Sequence, residues 1–95
     1  MNKNETHKTT LIYCGKEFDH FTPNGNAIYR YFFVNKDYIF YEFYDKGGYS
    51  VNSILSHCKP GISVNVFWKH HKQTWKKIIL DVEDAIVSPY KNFNA

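Results

Sequence analysis

The chain has 95 residues and a formal net charge of +3, with 43% hydrophobic, 19% aromatic and 22% charged residues. A length of this order allows one domain with a modest core, since folding buries about 60–65% of the surface the unfolded chain exposes. The apolar content argues against a disordered chain, and no segment approaches the about 20 apolar residues that a membrane-crossing helix requires.

The start, Met1 to Lys8, is polar and lacks the apolar stretch of a signal peptide, so a cytoplasmic protein is expected and residues 1–8 are read as a flexible segment. Only Cys14 and Cys58 are present. They are far apart in sequence and fall on a strand and a helix respectively, which suggests two buried thiols rather than a metal hook or a disulfide framework.

The domain is expected over residues 9–87, and its first strand over Thr9 to Phe18, with Leu11 and Tyr13 alternating against Thr10, Ile12 and Cys14. Gly15 inside that strand marks a bulge or sharp bend. The stretch from Asp19 to Gly25 is rich in turn residues and reads as a loop.

Residues 26–44 carry the strongest pattern in the chain. Two aromatic and β-branched runs flank Asn35-Lys36-Asp37, the composition of a β-hairpin. Placing Val34 opposite Tyr38 puts Phe32 opposite Phe40, Arg30 opposite Glu42 and Ile28 opposite Tyr44, so both charges of the hairpin share one face. The other face, Tyr29, Tyr31, Phe33, Ile39, Tyr41 and Phe43, has no charge and reads as core.

Val51, Ile54, Leu55 and Cys58 then fall on one face of a helix, with Ser50 as N-cap and Lys59-Pro60-Gly61 as its stop. An extended reading of Tyr49 to Ile54 also fits. Ile62, Val64, Val66 and Trp68 alternate with polar neighbours as a fourth strand, and His70 to Thr74 supply the turn. A fifth strand runs from Trp75 to Val82, continuing toward Val87, with Ile78, Leu80 and Val82 inward. Residues 88–95 read as a polar tail.

This order of elements resembles the oligonucleotide/oligosaccharide-binding fold, the OB-fold, over nearly the whole chain. The resemblance lies in element order and strand spacing and not in a sequence motif. It implies a mainly β protein, a small five-stranded antiparallel barrel with one short helix between strands 3 and 4. An SH3-like barrel and a layer of antiparallel sheet under one helix are the competing layouts. The resemblance also implies a binding face on strands 2 and 3 with the loops beside it, here Arg30, Phe32, Phe40 and Glu42, the region of His20, Phe21 and Asn24, and the loop from Lys69 to Lys77.

Independently of that resemblance, Trp68 to Lys77 holds four lysines, two histidines, two tryptophans and no acid. Lysines neutralise phosphates and aromatic faces stack bases of any sequence, so the segment suits single-stranded nucleic acid. A solvated hairpin with Trp68 and Trp75 paired over the core accounts for the same residues. Arg30, Phe32, Tyr38, Phe40 and Tyr44 form a second candidate surface, for bases or for a protein partner. The five histidines lack ligand spacing, so neither a metal nor a cofactor is expected, and no arrangement of nucleophile and base suggests an enzyme.

The sequence therefore leads to a binding domain for single-stranded DNA or RNA. Its expected contacts are Lys69, Lys72, Lys76 and Lys77 for phosphates, with Arg30, Phe32, Tyr38, Phe40 and Trp75 around the bases. The alternative is a small inhibitor or adaptor, of the sort carried by phages and plasmids, or a homodimer that uses the aromatic face. A third is a structural subunit of a larger assembly.

Overall fold

A computed structural model describes residues 5–45 and 49–84; of Tyr49, Ser50 and Asp84 only the backbone is described. The elements are β1 (His7–Phe21), β2 (Ala27–Val34), β3 (Phe40–Asp45), α1 (Tyr49–Leu55), β4 (Ser63–His70) and β5 (Lys77–Asp84). The strands close into a barrel in the ring order β1-β2-β3-β5-β4. The expected tail 88–95 and the continuation of β5 through 85–87 lie outside the described residues.

The barrel is mainly β, with one short helix between β3 and β4, but it is not purely antiparallel. Tyr44 and Asp45 pair with Ile78 and Ile79 in parallel, while the other four neighbouring strand pairs are antiparallel. The reason is geometric: around a closed ring of five strands, directions cannot alternate all the way, so at least one neighbouring pair must run the same way.

β1 is longer than its apolar alternation suggested, because His7 and Lys8 pair with Trp68 and Phe67. It serves two neighbours. His7 to Ile12 pair with β4, and Ile12 to Phe21 pair with β2. The change of neighbour coincides with a bulge between Tyr13 and Gly15, and Gly15 has φ +142, a conformation that L side chains rarely adopt. The expected bend is therefore present where the strand turns from one wall of the barrel to the other. Beyond it no long loop follows: Thr22 and Asn26 close a tight turn through Thr22 N to Asn26 O at 2.8 Å and Asn26 N to Thr22 Oγ1 at 3.1 Å.

In the β2–β3 hairpin the register differs from the expected one by two residues. Val34 pairs with Phe40, Phe32 with Glu42 and Arg30 with Tyr44. The turn is longer than three residues because Asn35 organises it, its Oδ1 accepting from Asp37 N at 2.8 Å and Ile39 N at 2.9 Å. A slip of two preserves which face each side chain occupies. Tyr31, Phe33 and Phe43 are fully buried and Tyr29 and Tyr41 pack against them, whereas Ile39 is left in the turn and exposed.

α1 packs against β5 and contributes Val51 and Leu55 to the core, with Ile54 and Cys58 against it. It starts at Tyr49, so Ser50 lies within its first turn instead of capping it, and Cys58 falls just beyond its end. Cys14 is exposed and not buried, since its neighbour Tyr13 takes the inward position; the two cysteines form no disulfide.

β4 alternates as expected, with Val64, Val66 and Trp68 inward. β5 departs from the expected pattern. Ile79 is fully buried and Val82 nearly so, while Ile78 and Leu80 are only partly covered. Phe67 pairs with Asp81 and Trp68 with Ile79, which leaves Leu80 as the extra residue of a bulge and reverses the inward parity of the residues before it.

Candidate nucleic-acid interface

Arg30 sits on the outer wall made by β1, β2 and β3, and three carboxylates surround it. Its Nη2 donates to Glu17 at 2.8 Å and its Nη1 to Glu42 at 3.0 Å. Its Nε lies 3.2 Å from Asp19 Oδ1, without the alignment of a hydrogen bond. Glu17 stands directly opposite Arg30 in the ladder, and a bulge between Phe18 and His20 makes Asp19 the extra residue beside it. The hydrogen bond to Glu42, with the surrounding carboxylates, holds the guanidinium charged beyond its usual range. One cation among three carboxylates leaves this wall locally at −2.

The rings expected beside Arg30 are there. Phe32 and Phe40 stack at 5.7 Å between centroids, and the Arg30 guanidinium carbon is 5.8 Å from the Phe32 centroid. Tyr38, at the tip of the hairpin, is 87% exposed with φ 65.

The second group of residues lies on the β4–β5 hairpin. Its turn is built by His71, whose Nδ1 accepts from Gln73 N at 3.2 Å and Thr74 N at 3.3 Å, and whose carbonyl accepts from Trp75 N at 3.0 Å. Trp68 and Trp75 are not a stacked pair over the core. Trp68 belongs to the core and donates from Nε1 to Thr9 Oγ1 at 3.0 Å, whereas Trp75 is half-exposed with φ 61. His70 stands between them, 5.1 Å from the Trp68 ring and 5.0 Å from the Trp75 ring. His7 stacks on Trp68 at 4.4 Å.

Of the four lysines, Lys72 and Lys76 are exposed and Lys69 and Lys77 are half-buried. Lys76 holds its ammonium 4.5 Å from the Tyr44 centroid, and Lys77 lies 5.8 Å from that of Tyr41 and 5.9 Å from that of Trp68. The lysine-bearing tip is thus in contact with rings of β3. Beside it opens a cleft of about 670 Å³, lined by Lys69, His70, His71, Lys72 and Gln73 of the hairpin, by Ile78 and Leu80 of β5 and by the acid Asp45 of β3. A cleft of such size and mixed lining is ample for a base with its phosphate.

The nine residues singled out in the sequence therefore separate into two groups. Arg30, Phe32 and Phe40 are on the β2–β3 wall with Tyr38 at its tip, and Lys69, Lys72, Trp75, Lys76 and Lys77 are on the β4–β5 hairpin, with Lys76 over Tyr44 as the link. The carboxylates of Glu17 and Asp19 are additions to the residues expected from the sequence. The two bulges of β1 shift its parity twice, so alternation alone could not place Glu17 and Asp19 beside Arg30. No His, Cys, Asp and Glu cluster able to hold a metal ion occurs among the described residues. No protein-family model matches the chain, and no curated protein or solved structure matches it significantly.

Proposed function

We propose that this protein is a non-enzymatic binding domain for single-stranded DNA or RNA, with little sequence preference, acting through its β4–β5 hairpin. The observation that carries the reading is the grouping of four lysines and a half-exposed tryptophan, with no acid among residues 68–77, beside the cleft lined by Ile78, Leu80 and Asp45. Ammonium groups meet phosphates there, the Trp75 face is open to a base, and both contacts are indifferent to base identity. The closed five-stranded ring with a helix between β3 and β4 supports an OB-like assignment, which lends weight to this function. The contact surface is centred on the hairpin and not on Arg30, whose charge its carboxylate neighbours outweigh.

The test is a fluorescence titration with labelled oligonucleotides at several salt concentrations. Binding through four lysines loses about tenfold or more in affinity between low and moderate salt. Absence of binding even at low salt removes this reading.

A protein partner, or a second copy of the chain, is the other reading. It is favoured by Phe18 and Phe21, which are exposed and lie 4.8 Å apart between ring centroids. Gel filtration beside the oligonucleotide titration separates the two.

A further inference from the structure

Tyr38 and Trp75 are the two residues other than glycine with positive φ among the described residues, at 65 and 61. Each is a large ring, each is exposed, and each sits in a hairpin turn. Left-handed backbone in such turns is ordinarily taken by glycine or asparagine, because a Cβ there crowds the following carbonyl. The Tyr38 ring, 87% exposed, does not recover that cost by burial, and Trp75 keeps half of its surface exposed beside His70.

The two turns are also built alike. Asn35 and His71, at their first positions, each accept two backbone N–H groups on the side chain and one on the carbonyl, the last donated by Tyr38 at 3.0 Å and by Trp75 at 3.0 Å. The backbone beneath each ring is thereby held in place.

Topology brings the two tips to one end of the barrel. β2 and β4 are both antiparallel to β1 and so run in the same direction, which makes the hairpins that follow them turn at the same end. The parallel pairing of Tyr44 with Ile78 lays the β4–β5 tip alongside β3, and Lys76 and Lys77 reach the rings of Tyr44 and Tyr41 from it. Lys76 and Lys77 thus lie between the β4–β5 tip and β3, the strand that follows the turn of Tyr38.

We infer that Tyr38 and Trp75 are a pair of preset stacking posts, and that a single strand of nucleic acid crosses the end of the barrel from one to the other over Lys76 and Lys77. This rests on the nucleic-acid reading above and adds the path of the strand. Rings held out by a strained backbone contribute to binding without contributing to folding. Removing them therefore separates the two properties.

The test uses the full chain and a fluorescein-labelled oligothymidylate of about ten residues, a length within the usual site sizes. Tyr38→Gly lowers the affinity about fivefold or more, the loss of one stacked base, while the melting temperature stays level or rises because glycine relaxes the turn. Tyr38→Phe keeps the affinity. Unchanged affinity in Tyr38→Gly, with the wild type and the lysines still binding, overturns the two-post path and leaves the hairpin reading standing. Unfolding of Tyr38→Gly also overturns it, since the ring would then be structural. A wild type that binds no oligonucleotide overturns both.

Discussion

Arg30 and Glu42 are not opposite each other in the ladder, yet they form the inner bond of the wall: Nη1 of Arg30 donates to Oε2 of Glu42 at 3.0 Å across neighbouring pairs of β2 and β3. Arg30→Gln leaves Glu17, Asp19 and Glu42 facing one another. The expected outcome is a lower urea midpoint, with a loss that shrinks at high salt, which screens the remaining repulsion. Glu17→Gln removes the most exposed acid of the group, costs under about 1 kcal/mol, and raises oligonucleotide affinity by lessening repulsion of phosphates. A salt-independent loss in Arg30→Gln would show that packing and not charge holds this side chain.

The bulge at Leu80 decides which isoleucine of β5 is in the core. Ile79→Ala is expected to cost about 2–5 kcal/mol and Ile78→Ala about 1 kcal/mol, measured as shifts of the urea midpoint. The reverse order would mean that β5 pairs without the bulge.

Gly15 has open space where a Cβ would stand, so its φ of +142 is the whole obstacle to substitution. Gly15→Ala and Gly15→Ser should each cost about 1–3 kcal/mol, and equally, since backbone strain does not depend on the size of the added group. A much larger loss for serine than for alanine would point to crowding instead.

Alkaline pH should unfold the protein through its interior tyrosines. Burial, then the charge of Asp45, pushes the Tyr31 phenol far above its ordinary value of 10, and burial, with Cys58, pushes Tyr13 up as well. A raised folded pKa leaves the stability intact below about pH 10, where the unfolded phenol is still neutral, and removes it as pH rises beyond. The expected slope is about 1.4 kcal/mol per pH unit for each such group. Tyr31→Phe forfeits the hydrogen bond to Asn52 Oδ1, lowering stability by about 1 kcal/mol near neutrality, but flattens the alkaline fall in urea midpoints. An equally steep fall in that variant would shift the cause to other residues.

The candidate site was legible to unequal degrees. The cationic aromatic hairpin could be read directly, because lysines and tryptophans within ten consecutive residues stay close in any fold. The acid wall around Arg30 could not, since Glu17 and Asp19 reach it through two bulges and a strand pairing that join positions over ten residues apart. The strained rings of Tyr38 and Trp75 were likewise hidden: tyrosine and tryptophan give no sign of a left-handed backbone, whereas glycine or asparagine would have.

Local pattern alone determined that five strands and a helix would form, and in what order, because alternation and helical spacing are properties of neighbours in the chain. It also determined which face of the β2–β3 hairpin turns inward, a choice that survives a register slip of two. Ring closure, the parallel pairing of β3 with β5, the bulges at Cys14, Asp19 and Leu80, and the gathering of both hairpin tips at one end were decided by the tertiary structure. They follow from fitting strands around a shared core, a constraint that no single segment carries.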